Sequence, residues 1–222
     1  MIQLPAKIDV GQLKSILLQR KIMKPRFMLP ISAEQAYDCL LAATMAELEY
    51  RHRSFYENDD AKAQLRQMAR WLTSGSSKFG MLLCGECGNG KSTLLKAFQQ
   101  LLNILAIPIP DGHGNYGIQI TDAKYVAHLA RTDNSAFLRL SQKDMFGIDD
   151  PGTESQEVMD FGNVVTPVID LLTKRHDEQL FTIITTNLTP KQIREHYGDR
   201  IAERLNEMVE KIVFTNNSYR SI

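Results

Sequence analysis

The sequence predicts an α/β fold: a parallel sheet with helices on both faces, preceded by a small helical module. Three observations carry this. From Phe79 onward, short apolar runs alternate with segments of helical periodicity, the order that parallel strands joined by crossover helices require. Before Gly75-Ser76-Ser77 the periodicity is helical alone. A glycine-rich stretch, 85–92, lies between the first apolar run and the helical run after it. The expected division is a helical N-terminal module over 1–75 and the α/β domain over 76–222, since domains usually hold about 100–200 residues.

In chain order, Val10, Leu13 and Leu17 repeat at helical spacing and predict a short amphipathic helix. Its surroundings are basic, because Lys7, Lys14, Arg20, Lys21, Lys24 and Arg26 face Asp9 as the one acid among residues 1–30. Such a face suits either a solvated surface or an arm that touches nucleic acid or a protein partner. After Pro30, Ser32-Ala33-Glu34-Gln35 has capping-box form, so a long helix should follow with Tyr37, Leu41, Met45 and Leu48 as its apolar stripe. Asp59 or Asp60 should cap the next helix, which buries Leu65, Met68, Ala69 and Leu72. Strands are expected at 79–84, 117–121, 144–149, 180–186 and 211–215, with helices between them.

Composition narrows the function. The 222 residues carry 26 basic and 26 acidic side chains, with 43% hydrophobic and 8% aromatic residues, which excludes a disordered tail, a collagen-like fibre and a globally basic DNA-coating protein. No run approaches the ~18 apolar residues of a membrane helix, and residues 1–14 lack the apolar run of a secretory signal. A soluble cytoplasmic protein with no membrane partner is expected. Cys39, Cys84 and Cys87 are an odd set without framework spacing, so they read as reduced thiols. The C-x-x-C pattern at 84–87 lacks the second ligand pair that zinc demands.

Gly85-Glu86-Cys87-Gly88-Asn89-Gly90-Lys91-Ser92 matches the phosphate-binding P-loop pattern G-x-x-x-x-G-K-[ST], directly after an apolar strand and directly before a helical run that opens at Thr93. The glycines let successive N–H groups point inward at phosphate oxygens, and the helix N-terminus adds its positive end. Lys91 would reach the β- and γ-phosphates of a nucleotide, and the Ser92 hydroxyl would bind Mg²⁺. A short apolar strand, Met145-Phe146-Gly147-Ile148, delivers Asp149 and Asp150: the first carboxylate toward Mg²⁺, the second toward an attacking water. Asn187 closes a β-branched strand at the sheet edge where ligands bind in open α/β sheets. Thr189-Pro190-Lys191-Gln192 then caps a new helix. Arg200 and Arg204 lie four apart on the following helix, where ordinary surface ion pairs with Glu203 or Glu207 compete with any catalytic role.

With these residues in place, the sequence from Phe79 onward resembles the bacterial helicase-loader branch of the AAA+ ATPases, the family of DnaC and DnaI and of the IstB-type transposition ATPases. The likeness rests on the P-loop, Asp149-Asp150 followed by Gly152 and Glu154, Thr186-Asn187, Gly198-Asp199-Arg200 with Arg204-Leu205, and the closing Ser218-Tyr219-Arg220. It implies a P-loop NTPase core of five parallel strands that binds and hydrolyses ATP with Mg²⁺. Asp149 would help hold the metal, Asp150 would activate water, and Asn187 would sense the γ-phosphate. Arg204 would be an arginine finger acting in trans within a homo-oligomer, with Arg200 as the reserve, and Arg220 the second sensor. An isolated subunit should therefore turn over slowly.

The resemblance also implies partners: a replicative helicase gripped by the N-terminal module, and single-stranded DNA bound by a helical insert. The matching stretch, 122–143, offers Lys124, Arg131, Arg139 and Lys143, with Tyr125 and Phe137 for base stacking. Two departures stand out. Many AAA+ enzymes carry Glu where Asp150 stands, one methylene longer, which favours an ATP switch over fast hydrolysis here. The last expected strand ends seven residues before Ile222, too few for a C-terminal helical lid. Other readings are an IstB-like transposition helper, a non-hydrolysing ATP-switched adaptor, and a small-molecule P-loop kinase.

Overall fold

The computed structural model describes residues 9–19, 26–56, 58–110, 114–160, 163–216 and 218–219. Three helices come first: α1 (Val10–Gln19), α2 (Ala33–Glu49) and α3 (Asp59–Thr73). Strand β1 (Gly80–Gly85) and helix α4 (Lys91–Leu105) flank the glycine-rich loop. Then come β2 (Gln119–Asp122), α5 (Ala123–Thr132), α6 (Asn134–Ser141) and β3 (Met145–Asp149). A hairpin of β4 (Val158–Asp160) and β5 (Asn163–Val165) precedes α7 (Pro167–Asp177) and β6 (Phe181–Thr186). The described elements end with α8 (Pro190–Tyr197), α9 (Asp199–Met208) and β7 (Val209–Phe214).

The five expected strands form one parallel sheet in the order β2-β3-β6-β1-β7. Alternation along β1 divides its side chains between two cores. Met81 and Leu83 face a layer containing Leu95 and Phe98 of α4, while Leu82 and Cys84 face one containing Val126, Phe146 and Leu171. Every residue of β6 is buried, as befits a central strand covered on both faces. The β4–β5 hairpin was not expected, because its strands are three residues each and carry little alternation.

The expected division near residue 75 falls in the turn between α3 and β1. Helices α2 and α3 on its N-terminal side share a core with the sheet: Leu40, Leu65, Met68 and Leu72 pack with Met81, Leu95 and Phe98. The capping box at Ser32 and Gln35 forms as expected, but the buried stripe of α2 is Ala36, Leu40 and Thr44, one residue before the expected one. Met45 is exposed, and Tyr37 and Leu41 are half-buried flanks. The small Ala36 and Thr44 let α2 approach its neighbours closely, and the Thr44 hydroxyl donates to the Leu40 carbonyl rather than facing apolar surface unpaired. The cap of α3 is Asn58, not Asp59 or Asp60. Its Oδ1 accepts from the Ala61 N–H, and the two aspartates occupy the first turn, where they complement the helix dipole. Helix α1 forms as predicted and buries none of its residues.

Arg175 is fully buried and fixes the far end of the sheet. Its guanidinium donates to the Thr182 hydroxyl and to the carbonyls of Ser141, Lys143 and Phe181, at 2.6–3.1 Å. Burial without a carboxylate in hydrogen-bonding contact pushes its pKa down to about 9.

Candidate functional site

At the C-terminal edge of the sheet, the loop 85–90 turns from β1 into α4. Gly85 has φ 144°, and a Cβ there would collide with the Phe214 carbonyl of β7, so only glycine lets the loop pass this close to the edge strand. Glu86 and Cys87 are exposed, and Gly88 and Gly90 are half-buried. Gly90 caps α4 in the left-handed region and offers no side-chain acceptor, which leaves the first-turn N–H groups around Ser92 and Thr93 open to an anion. Cys84 is buried, and burial pushes its thiol up, so it is a poor nucleophile or ligand.

Asn89 is 1% exposed and braces the loop from within. Its amide donates to the Phe214 carbonyl at 3.1 Å, and its own carbonyl accepts from Asn216 at 3.2 Å. The Tyr219 N–H donates to the Gly88 carbonyl at 3.0 Å, and the Asn58 amide donates to the Tyr219 hydroxyl at 3.1 Å. Periodicity and motif point to none of Asn58, Gln64 or Asn216, and Tyr219 enters the sequence reading only as the neighbour of Arg220. An amide's partner 127 to 161 residues away leaves no local pattern.

Lys91 lies at the centre. Its ammonium donates to the carbonyls of Gly85 and Glu86, to Asn89 Oδ1 and to Asn187 Oδ1, at 2.7–3.0 Å. Burial pulls its pKa below the usual lysine value, opposed by the nearby Cys87, Asp150 and Asp149. Asn187 also donates from Nδ2 to Asp150 Oδ1 at 2.8 Å. The Asn187 amide thus bridges Lys91 and Asp150, the acid that directly follows β3.

Asp149 Oδ1 accepts from the Ser92 hydroxyl at 2.7 Å and from the Thr185 hydroxyl. This set of hydroxyl and carboxylate oxygens fits Mg²⁺, a hard cation that takes oxygen ligands and keeps several waters. Asp150 has φ 57°, the left-handed region, and its N–H donates to the Thr185 carbonyl at 2.8 Å. Burial and the adjacent Asp149 push its carboxyl above the usual aspartate range. Gly147, which interrupts the apolar run of β3, is there for packing: a Cβ would meet Leu95 at 3.1 Å and Ile120 at 3.2 Å.

The remaining candidates lie apart from this cluster. Arg204 is half-buried and pairs with Asp177 of α7 at 3.7 Å. Arg200 is exposed, with no ion pair among the described residues. Arg220 lies outside the described residues. Lys124 and Arg131 on α5, Arg139 on α6 and Lys143 just after α6 are exposed, and so is Tyr125, stacked on His128. Phe137, expected for base stacking, is instead 8% exposed in the core with Val126 and Phe146, and exposed Leu138 stands beside it.

The geometry has relatives among solved structures. The DnaC helicase loader aligns at 20% identity over 72% of this chain and 93% of that one, with a TM-score of 0.54. DnaI aligns at 21% identity over 72% of this chain and 88% of that one, with a TM-score of 0.56. This chain shares the α/β fold of those proteins. AMPPCP-bound DnaA from Aquifex aeolicus also aligns, at 16% identity over 75% of this chain and 50% of that one, with a TM-score of 0.53. No protein-family profile matches the sequence, and no curated protein does. Among the described residues, no helix is long and apolar enough to cross a membrane, and no cluster of three His, Cys, Asp or Glu side chains could hold a metal by itself.

Proposed function

We propose that the protein binds and hydrolyses ATP with Mg²⁺, and uses that cycle to load or remodel a replicative helicase, or a similar partner, on single-stranded DNA. The observation that carries the ATPase reading is Asn187, which joins Lys91 to Asp150 through one amide. The folds of two helicase-loader-type proteins and of DnaA support the replication setting.

In this reading the loop N–H groups and Lys91 hold the phosphates, with Lys91 exchanging its present carbonyl partners for phosphate oxygens. Ser92 and Asp149 hold Mg²⁺, which supplies neutralising charge at the phosphate oxygens. Asp150 accepts a proton from the attacking water, and Asn187 orients that water or the γ-phosphate. Arg204 of a neighbouring subunit stabilises the charge that develops, and Arg220 reads the nucleotide from the tail. The exposed cations of the 122–143 stretch with Tyr125 bind the DNA backbone and bases. Helix α1, with none of its residues buried, faces the protein partner.

The test is ATP hydrolysis with and without single-stranded DNA over a range of protein concentrations, with Lys91→Ala as control. Turnover that needs Lys91, rises more steeply than protein concentration and responds to DNA is expected. Bound ATP that is never hydrolysed under these conditions makes the protein a switch and overturns the enzymatic reading.

A further inference from the structure

We infer that Glu154 is a positioning residue for Asp150. With Tyr197 it forms a buried clamp that ties the acidic turn after β3 to the α8–α9 pair carrying Arg200 and Arg204. The inference deepens the ATPase reading and rests on it for Asp150's role.

The turn needs external support. Asp150 at φ 57° and Gly152 at φ 102° are two left-handed residues within three positions, a backbone course that has to be held by its surroundings. One side of the turn is held by β6, through Asp150 N–H to the Thr185 carbonyl and the Thr186 hydroxyl to the Pro151 carbonyl, each at 2.8 Å. Glu154 holds the other side. Its Oε2 accepts from the Gly152 N–H at 2.8 Å, and its Oε1 from the Tyr197 hydroxyl at 2.5 Å.

Glu154 is 9% exposed and has no ion pair among the described residues. A buried carboxylate without a cation is costly unless strong donors satisfy it, so these two bonds account for its place there. Tyr197, 7% exposed, is held in its phenol form by burial and by the Glu154 carboxylate. It is also the last residue of α8. Gly198 follows, and α9 begins at Asp199. A second bond runs in parallel from the same segment, the Gln156 amide donating to the His196 carbonyl at 2.7 Å. One carboxylate therefore spans the distance between the turn that presents Asp150 and the helix pair that presents the arginines. Any shift of the turn when Asp150 meets the nucleotide is passed to α8–α9.

The test uses the full chain as Glu154→Gln and as the milder Tyr197→Phe, with two readouts. The first is hydrogen exchange without nucleotide. Both variants should speed exchange at 150–154 and at 197–204 together by about tenfold, while α4 keeps its protection and shows the fold intact. The second is steady-state ATP turnover, in which kcat should fall about tenfold or more with KM nearly unchanged, the pattern of lost positioning rather than lost binding. Exchange that rises in only one of the two segments, or kcat equal to the wild type, overturns the clamp. If the wild type shows no turnover, the ATPase reading fails by itself and the exchange readout still decides the clamp.

Discussion

The side-chain amide of Gln64, on α3, donates to Asn216 Oδ1 at 3.0 Å, and Asn216 donates in turn to the carbonyl oxygen of Asn89 inside the P-loop. Both are 7% exposed, so a helix of the N-terminal layer, the segment after β7 and the glycine-rich loop form one buried chain of amides. Removing one member takes a buried hydrogen bond from its neighbour, which costs about 1–3 kcal/mol. Gln64→Leu should lower stability by that amount in urea titration. It should also weaken binding of an ATP analogue, because the Asn89 brace loses its backing. Analogue affinity equal to the wild type would mean that the loop does not depend on α3.

Lys91 and Asp150 should separate binding from chemistry. Lys91→Ala removes the donor to two loop carbonyls, Asn89 and Asn187, so both nucleotide retention and turnover should be lost. Asp150→Asn keeps the shape and the hydrogen bond to Asn187 after an amide flip, but removes the base. Its kcat should fall by about 10²–10⁴, with analogue affinity within a few-fold of the wild type. Calorimetric binding beside single-turnover hydrolysis checks both, and equal loss of affinity in the two variants would assign Asp150 to binding.

Much of this arrangement is legible in the sequence, and the reason is locality. The P-loop, the paired acids and Asn187 each lie at a strand end, where alternation stops and turn chemistry begins, so five strands and the central cluster follow from pattern. The N-terminal layer was harder. Its helices are visible, but its packing on the sheet depends on which face of α2 is inside, and Ala36 and Thr44 are too small and too ambiguous to outvote Tyr37, Leu41 and Met45. Phe137 is hard to place for a related reason: within a stretch that holds four basic residues its ring suits base stacking, but it is buried in the core with Phe146 and Val126. The amides of Gln64, Asn216 and Asn89 and the phenol of Tyr197 act across long sequence separations, and periodicity carries no trace of them.

Gly152 makes a sharp test of the acidic turn. Its φ of 102° suits glycine, and a Cβ there would lie 2.6 Å from Leu188 Cδ1. Gly152→Ala should therefore cost about 1–3 kcal/mol in strain and displace Asp150, lowering turnover with it. Adding Leu188→Ala removes the steric part and leaves the backbone part, so the pair should recover some turnover without reaching the wild type. Differential scanning calorimetry with initial rates checks this, and a double variant no better than Gly152→Ala would place the whole effect in the backbone.

The arginines of α9 decide whether the site is shared between subunits. Arg204 pairs with Asp177 at 3.7 Å, and both side chains reach solvent, at 33% and 56% exposure. A pair of this kind is worth about 0–1 kcal/mol, so the ion pair is no obstacle to Arg204 leaving it for a neighbour's phosphate. Arg204→Ala should leave stability nearly unchanged and lower turnover by about 10³, the lower end of what a finger contributes to phosphoryl transfer. Arg204→Ala and Lys91→Ala subunits, each inactive alone, should regain turnover when mixed, because a subunit with an intact P-loop then meets a neighbour with an intact arginine. The same mixing with Arg200→Ala fixes the register. If Arg200→Ala, and not Arg204→Ala, is inactive alone and complemented by Lys91→Ala, the finger is Arg200, the exposed arginine one turn earlier. If neither pair complements, α9 contributes nothing in trans and each subunit must complete its own site.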